Sequence, residues 1–402
     1  MSSLLRGVFI VGAKRTAFGA YGGRLKDTSS IDLAVISSKA ALQQAKVDPN
    51  HVDSVVCGNI NQVSSTNGCY IARHVALISG IPQAVPCLTV NRLCGSGFQV
   101  VVNAAQDICL RDSEIVLAAA CENMSQAPFV VRNARFGVRF SQTPDMECSL
   151  WSALTDHHIK TPMGVTAENL AEKYNLTRED ADKFALMSQQ RWANAQKNGR
   201  FKEEIVPIPF KNRKTGADEH FQVDEHPKPQ TTMESLGKLP SVFKKNGTVT
   251  AGNASGVCDG GSALVVASED AVTKHKLTPL ARVVGYSTVG CDPHIMGIGP
   301  APAIKKLCAH TGISLDKVDL VDVNEAFASQ FLAVQKELGL DMNKTNVNGG
   351  AIALGHPIGA SGARIIANLV YEMKARNAKF SIGSACIGGG QGIAVMLENI
   401  SA

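Results

Sequence analysis

Apolar and polar positions follow two alternating patterns along this chain. Short, unbroken apolar runs are typical of buried strands, and they alternate with segments in which apolar residues recur every three or four positions, as on one face of a helix. The clearest apolar runs cover residues 54–57, 115–119, 320–323 and 380–384. This alternation predicts an α/β protein with mainly parallel sheets covered by helices.

The same elements occur twice in the same order. The offset between matching positions is 265 or 266 residues throughout, and it aligns Cys121 with Cys386. Three pairs of segments match: 46–60 with 312–326, Ser96-Gly97 with Ser361-Gly362, and 114–122 with 379–387. We therefore predict two copies of one α/β unit, paired about a pseudo-twofold axis so that equivalent loops of both copies face one site.

The region between the copies has a different character. It holds two helix-like segments, residues 166–174 and Arg178–Lys197, followed by a loop-rich stretch with an excess of basic residues. As a group, these charges are suited to meeting phosphates, although a single one is more often part of a solvated face. The predicted organisation is an N-terminal copy over 1–122 to which 250–274 return, an inserted loop domain over 123–249, and a C-terminal copy over 275–402.

Composition excludes several classes of protein. The chain has 402 residues, of which 45% are hydrophobic and 19% charged, as in a folded globular protein of two or three domains. The net charge of +5 is too small for a nucleic-acid-binding surface but suits an anionic small substrate. Eleven cysteines without a CxxC pair indicate neither structural zinc nor a disulfide framework, and therefore a reducing compartment.

One cysteine lies where a helix is predicted to begin. In NRLCGSGFQ, Cys94 precedes Gly-Ser-Gly and an amphipathic run that starts near Phe98. Unpaired N–H groups and the positive end of the helix dipole favour a thiolate there, and the glycines allow a substrate to approach the backbone. The spacing alone leaves two interpretations open: a reactive thiol, or a small packed side chain.

The second copy carries further candidate chemistry in its loops. Asn324 and Glu325 follow an apolar strand, and His356 lies in a glycine-rich loop before a helix starting near Ser361. Cys386 ends another strand and is the first residue of CIGGGQG, whose glycines follow it. Taken singly, each of these residues is more often structural. Together they supply a thiol nucleophile, an imidazole base, a second thiol for proton transfer and amide donors for an oxyanion.

These motifs resemble those of the thiolase family over essentially the whole chain. The resemblance rests on NRLCGSGFQ, TAGNASGVCDG, NEAF, NGGAIALGHPIGASGARI and CIGGGQG, in this order. It implies a five-layered αβαβα core built from two α/β copies, an inserted loop domain, and a homo-oligomer, expected to be a dimer of dimers. It also implies cleavage of 3-ketoacyl-CoA by CoA in fatty acid β-oxidation, with CoA as a substrate and no tightly bound cofactor or metal.

The resemblance also implies roles for individual residues. Cys94 matches the nucleophile that becomes acylated, His356 the base that activates it, and Cys386 the acid and base thiol. The ring of His356 and a water held by Asn324 would stabilise the enolate oxygen. The backbone N–H groups of Cys94 and Gly388 would stabilise the oxyanion of the second step.

The same resemblance places CoA over the inserted domain and the first copy. Ser255 matches a residue that contacts pantetheine, Met163 one that lines the acyl channel, and Thr231 lies in the adenine loop. Lys228 stands in that loop where the family usually has Arg, which keeps the charge and loses a planar stacking surface. Pro162 stands where acetoacetyl-specific relatives typically carry His, and therefore favours a degradative enzyme.

Other functions fit the sequence less well. An acetoacetyl-CoA-specific acetyl-CoA acetyltransferase is the nearest alternative. A β-ketoacyl synthase would lack the second thiol, Cys386, and a non-catalytic lipid-binding relative would be expected to have lost Cys94, His356 or Cys386. A nucleotide-dependent oxidoreductase has only GIGPAPA (297–303) in its favour, without the final glycine of the dinucleotide motif.

The amino-terminal segment is rich in basic residues. Arg6, Lys14, Arg15 and Arg24 precede the first acidic residue, Asp27, a bias shared with mitochondrial targeting segments. A strand-like apolar run begins at once, so we expect this targeting information not to be cleaved. Together with the resemblance, this predicts the mitochondrial matrix.

Overall fold

A computed structural model describes Leu4 and residues 6–211 and 216–400. The strands are β1 (Val8–Thr16), β2 (Gly19–Ala20), β3 (Ser54–Gly58), β4 (Cys87–Val90), β5 (Ile115–Asn123), β6 (Phe129–Val131), β7 (Met146–Cys148), β8 (Thr155–Asp156), β9 (Thr161–Pro162), β10 (Ile205–Val206), β11 (Ile208–Lys211), β12 (Asp218–Phe221), β13 (Cys258–Ser268), β14 (Ala281–Gly290), β15 (Leu320–Val323), β16 (Phe380–Ile387) and β17 (Gln391–Glu398). The α-helices are α1 (Ser30–Ala45), α2 (Ile71–Ile78), α3 (Ser96–Leu110), α4 (Ser149–Ala153), α5 (Met163–Lys173), α6 (Arg178–Lys197), α7 (Met233–Gly237), α8 (Glu269–Lys274), α9 (Pro300–Thr311), α10 (Ala328–Leu338), α11 (Ala351–Leu354) and α12 (Ser361–Arg376).

Local sequence signals account for where several elements begin. The predicted helix over Arg178–Lys197 is confirmed at both ends. Its first turn carries a capping box, in which the Asp180 N–H donates to the Thr177 hydroxyl and the Thr177 N–H donates to the Asp180 carboxylate. The four predicted strands are also confirmed, as β3, β5, β15 and β16.

One large sheet runs through the molecule in the order β15-β16-β17-β14-β1-β13-β5-β3-β4. Its two halves follow the same plan: β13 is antiparallel to both β1 and β5, and β17 is antiparallel to both β14 and β16. The halves join where β1 pairs with β14 through Phe9 and Ile10. The expectation of mainly parallel sheets is therefore wrong, because in each half an antiparallel strand, β13 or β17, lies between the others.

Three apolar cores separate five layers. Side chains alternate along each strand, so neighbouring residues belong to different cores. In β5, Ile115 and Leu117 face α1 and α2, whereas Val116 faces the centre. In β17, Ile393 faces the centre and Met396 faces α9 and α10. Helices α3 and α12 fill the central core, which gives the predicted αβαβα order.

The two central helices cross at a pair of glycines. A Cβ added at Gly97 would lie 2.4 Å from the backbone nitrogen of Ala363, and one at Gly362 would lie 2.3 Å from that of Phe98. Real Cβ contacts are never this short, so only glycine allows the helices this close approach. The Ser-Gly pair that recurs in the two copies marks this crossing on the pseudo-twofold axis.

The segment between the copies packs beside the sheet as helices α4–α7 and three two-stranded ribbons: β6 with β7, β8 with β9, and β11 with β12. Buried ion pairs attach it to β1: Arg15 binds Glu204 at 2.7 Å and Asp224 at 2.6 Å. Within residues 6–211 and 216–400, no helix is both long and apolar enough to span a bilayer.

The basic residues at the amino terminus belong to the fold. Arg6 forms an ion pair with Glu114, and Lys14 and Arg15 lie on the central strand β1. Residues 1–3 and 5, where the predicted targeting segment begins, lie outside the described residues.

Candidate active site

Cys94 lies in a tight turn between β4 and α3. Leu93 adopts φ of +46°, a left-handed conformation that non-glycine residues seldom adopt. The turn is closed by the Leu93 N–H donating to the Asn91 side chain and by the Ser96 hydroxyl donating to the Leu93 carbonyl. The predicted helix is confirmed, and it begins at Ser96, two residues after the thiol.

The Cys94 thiol is half-buried and is in its protonated form at neutral pH. Burial raises its pKa to about 11, and the negative charge of Glu122 acts in the same direction. The backbone N–H groups of Gly388 and of Cys94 itself oppose this rise in pKa. Desolvation therefore outweighs the helix N-terminus, which by itself would favour a thiolate. Two amide donors nevertheless point at the sulfur.

His356 is buried in the turn that leads into α12. Its Nδ1 lies 2.6 Å from the Ser361 hydroxyl, which itself donates to the carbonyl of Pro357. Because that hydroxyl has only one proton, His356 Nδ1 must be the donor, and Nε2 carries the free lone pair. Burial lowers the pKa of His356 to about 3, so the ring is neutral and able to accept a proton at Nε2.

Asn324 lies at the carboxyl end of β15, where its amide reaches the base. Its Nδ2 is 3.3 Å from His356 Nε2, while its buried Oδ1 has no hydrogen-bond partner in the described part of the chain. The neighbouring Glu325 points away from Asn324 and accepts hydrogen bonds from Ser188 and Asn346. Asn324 therefore faces the reaction space, whereas Glu325 holds the surrounding loops.

Cys386 lies near the end of β16, fully buried against Met296 and Ala326. Burial raises its pKa well above that of an ordinary thiol, and the neighbouring Cys94 and Cys291 raise it further. Both thiols are thus protonated at rest and close enough to interact electrostatically. Elements of both copies supply the group, because Cys94 comes from the first copy and His356, Asn324 and Cys386 come from the second.

Comparisons with known proteins agree with this constellation. Residues 8–270 match the family model for the N-terminal domain of thiolase, and residues 277–399 match the model for the C-terminal domain. The chain belongs to the thiolase family.

Individual relatives align along nearly the full length of this thiolase. The mitochondrial 3-ketoacyl-CoA thiolase of Mus musculus is 60% identical over 397 residues, which are 99% of each chain. The acetyl-CoA acetyltransferase of Escherichia coli (strain K12) is 46% identical, over 99% of this chain and all of the other. The crystal structure of human mitochondrial 3-ketoacyl-CoA thiolase in complex with CoA superimposes with a TM-score of 0.96 at 58% identity, covering 98% of both chains.

One of the predicted CoA-binding residues, Lys228, borders an open cavity of this thiolase, and Thr231 lies in the same loop. The cavity holds about 560 Å³, and Lys228 lies in its wall next to His226 and Trp151. Thr231 closes the same loop by donating to the carbonyl of Lys228. The remaining wall is mainly apolar, with one acidic residue, and is formed by Ala20, Tyr21, Cys148, Leu150, Leu154, Glu225 and Val257.

The other two predicted binding residues lie closer to the thiols. Met163 packs against Gly388, with its sulfur 3.3 Å from where a Cβ would be, and its N–H donates to the carbonyl of Leu154 in the cavity wall. The N–H of Ser255 donates to the carbonyl of Ala326, beside Cys386. These contacts connect the cavity to the sulfur atoms.

Two residues of the site, Ser361 and Glu122, are not marked as functional by the sequence. Ser361 marks the start of a helix in the sequence, yet its hydroxyl fixes the proton of His356 on Nδ1. Glu122 lies at the end of β5 in CENMS and enters no motif, yet its carboxylate binds the turn of His356 through Gly359. The sequence does contain one signal for Glu122: an acidic residue follows an unbroken apolar run. Burying a charge at such a position is costly, which suggests that the residue is needed there.

Proposed function

We propose that this thiolase cleaves 3-ketoacyl-CoA with CoA, releasing acetyl-CoA and an acyl-CoA shortened by two carbons, as a step of mitochondrial fatty acid β-oxidation. The observation that carries the proposal is a neutral thiol and imidazole pair, with a second buried thiol beside it, in a chain about 60% identical to mitochondrial 3-ketoacyl-CoA thiolases. Breaking the bond between carbons 2 and 3 of a 3-ketoacyl-CoA needs a nucleophile, a base and a proton donor together.

The first half of the reaction forms an acyl enzyme. Nε2 of His356 takes the proton of Cys94, and the resulting thiolate attacks the 3-keto carbon of the substrate. The bond between carbons 2 and 3 then breaks, its electron pair forms the enolate of acetyl-CoA, and Cys386 donates its proton to carbon 2. The enolate oxygen is stabilised by Nε2–H of His356, now protonated, and by a water bound to Asn324.

The second half transfers the acyl group to CoA. The thiolate of Cys386 takes the proton of the incoming CoA thiol, whose sulfur attacks the thioester carbonyl of acyl-Cys94. The N–H groups of Cys94 and Gly388 hold the oxyanion that forms. When the bond to Cys94 breaks, its sulfur recovers the proton from His356, and both thiols return to their starting state.

CoA is held outside this centre, in the cavity next to the inserted segment. The proposed contacts are Ser255 and Met163 for the pantetheine arm and Lys228 and Thr231 for the nucleotide end. The crystal structure of the human relative in complex with CoA supports CoA as a substrate. We further propose a homo-oligomer, a dimer of dimers, acting in the mitochondrial matrix.

Chain-length preference separates this function from that of an acetyl-CoA acetyltransferase. The apolar wall of the cavity continues into a cluster around Cys94 that includes Leu150, Leu154 and Val257. An acyl chain longer than acetoacetyl gains about 0.8 kcal/mol for each buried CH₂ on such a surface. This continuity favours medium chains over acetoacetyl-CoA.

The proposal is tested by following the loss of 3-ketoacyl-CoA on addition of CoA, across substrates from four carbons to sixteen carbons. We expect kcat/KM to rise from acetoacetyl-CoA to medium chains, and Cys94→Ala to abolish turnover without lowering the melting temperature. Activity confined to acetoacetyl-CoA would assign an acetyl-CoA acetyltransferase instead. Turnover near wild type in Cys94→Ala would remove that residue from the nucleophile position.

A further inference from the structure

The pseudo-twofold axis gives the active site a counterpart within the same chain. At an offset of 265 residues, Cys94 corresponds to Gly359, Asn324 to Asn59, Cys386 to Cys121 and Gly388 to Asn123. Three of these counterparts also lie together. The Asn59 amide donates to the Cys121 carbonyl at 3.1 Å, and a Cβ at Gly359 would lie 2.3 Å from the same carbonyl oxygen.

In the counterpart, Gly359 replaces the nucleophilic cysteine, and the carboxylate of Glu122 binds there. Glu122 is fully buried, and its Oε2 accepts the N–H of Gly359 at 3.1 Å. That N–H is the equivalent of the Cys94 N–H, one of the two proposed oxyanion donors. The same carboxylate accepts hydrogen bonds from the N–H of Ile60 at 3.2 Å, the N–H of Asn61 at 3.0 Å and the amide of Asn59 at 3.2 Å.

This set of partners favours the ionised carboxylate, against the rise in pKa that burial causes. All four groups donate, so a protonated carboxyl would leave its own O–H without an acceptor among them. No lysine or arginine side chain of the described residues pairs with Glu122. Four ionisable groups interact electrostatically with Glu122, and none of them is a cation: Asp259, Cys94, Cys121 and Cys258. Three backbone N–H groups and the side-chain amide of Asn59 hold this buried charge.

Gly359 lies in the turn that presents the base. The turn runs from His356 to Ser361, and its two ends are joined by the bond from Nδ1 to the Ser361 hydroxyl. Gly359 is pressed onto the carboxyl ends of β3 and β5, close to Gly58 and Cys121. Glu122 therefore attaches a turn of the second copy to the strand ends of the first copy, which is the copy that carries Cys94.

We propose that Glu122 is a positioning residue for the base: its carboxylate occupies the second, symmetry-related anion site and so holds the 356–361 turn, and with it His356, in register with Cys94. This proposal rests on the proposed function. Misplacing a reacting group by about 1 Å costs on the order of 100-fold in rate. Glutamine cannot replace the carboxylate, because its NH₂ group would face N–H donors.

Charge gives a second signature of the same arrangement. Burial raises the pKa of Glu122 to about 7, and its negative charge in turn contributes to the high pKa of Cys94. Removing the charge should therefore make Cys94 easier to ionise while making the enzyme slower. Loosening of the fold alone does not combine these two opposite effects.

The test compares Glu122→Gln with a matched control, Glu168→Gln. Glu168 is also a buried carboxylate, and it accepts the N–H groups of Thr248 and Val249 away from the catalytic turns. For Glu122→Gln we expect kcat to fall about 100-fold with the KM for CoA unchanged. We also expect the pH profile of Cys94 alkylation by iodoacetamide to move to lower pH, because a charge that raises the pKa of Cys94 is removed. The control should retain both kcat and the alkylation profile.

A double-mutant cycle identifies the route of the effect. If Glu122 acts through the base, Glu122→Gln has no further effect on kcat in a His356→Ala background. Full additivity would overturn the proposal, and so would a wild-type kcat in Glu122→Gln. If that variant does not fold, Glu122→Asp takes its place. It keeps the charge but cannot reach Gly359, so kcat should fall while the alkylation profile stays in place, and a wild-type kcat would again overturn the proposal.

The two proposals fail in different ways. If wild-type protein shows no thiolysis with any chain length, the proposed function is wrong. The alkylation profile needs no substrate, so it still reports whether Glu122 acts on Cys94. If thiolysis is normal and neither kcat nor the profile responds to Glu122→Gln, only the positioning role is wrong.

Discussion

Cys94 and His356 begin the reaction as a neutral pair, because both are removed from water. A helix N-terminus favours an anion by only about 0.3–1 kcal/mol. Each pKa unit corresponds to about 1.4 kcal/mol, so a pKa of about 11 for Cys94 means that burial outweighs the helix. The sequence shows the helix start but not the depth of burial, which is why the position of the thiol was predictable and its charge was not.

Replacing Cys386 should separate acylation of Cys94 from the rest of the reaction. Cys386→Ser removes the proton carrier but leaves Cys94 and His356 in place, so we expect turnover to fall by at least about 100-fold while an acyl-CoA still acylates Cys94 slowly. Mass spectrometry of the intact protein after incubation with acyl-CoA would detect this adduct. Absence of an adduct would contradict the division of roles between the two thiols.

Lys228 tests how the nucleotide end of CoA is held. The side chain is exposed in the cavity wall beside Trp151. Arginine would keep the charge and add a planar surface for stacking, so Lys228→Arg should lower the KM for CoA and leave kcat unchanged. Steady-state kinetics with CoA as the varied substrate measure this, and Lys305→Arg, in a surface ion pair with Glu337, is the control. An unchanged KM would mean that Lys228 does not contact CoA.

Helices α3 and α12 determine how closely the two copies approach each other. Replacing Gly97 with alanine improves helix propensity by up to about 1 kcal/mol. The new Cβ would, however, meet backbone atoms that cannot move aside. We therefore expect Gly97→Ala to lower the free energy of unfolding by about 1–3 kcal/mol.

Chemical denaturation of Gly97→Ala and Gly362→Ala measures this effect, and the pseudo-twofold axis predicts similar losses for both. Gly237→Ala serves as the control, since nothing lies within 4 Å of its added Cβ. A stability equal to wild type in both variants would show that the helices can move apart.

Helices and strands could be predicted wherever the local hydrophobic pattern is strong. The pairing of the strands with one another could not be predicted. Strands β3, β5, β15 and β16 follow directly from apolar runs, and α6 follows from its periodicity and cap. The antiparallel position of β13 was not predictable, because it pairs with strands more than a hundred residues earlier in the chain. For the same reason, no local signal shows that Glu122 meets Gly359.

At the scale of the whole molecule, buried charges attach the inserted segment to the core. Arg15 is fully buried between Glu204 and Asp224, so removing it takes the ionic partner from the buried Asp224 carboxylate and leaves Glu204 with Arg200. Breaking such a buried pair costs about 3–5 kcal/mol. We expect Arg15→Met to lower the urea midpoint accordingly, measured by circular dichroism. Arg132→Met, at an exposed ion pair with Glu147, should leave the midpoint unchanged.

Strand β1 lies at the seam between the two halves of the sheet, between β13 and β14. It precedes both of its neighbours by more than two hundred residues, since they end at Ser268 and Gly290. Most of the chain must therefore be synthesised before the first strand can pair on both sides, and until then its apolar surface is exposed. Such long-range pairing is slow and prone to aggregation. We therefore expect the late pairing of β1 to limit the rate at which this chain folds.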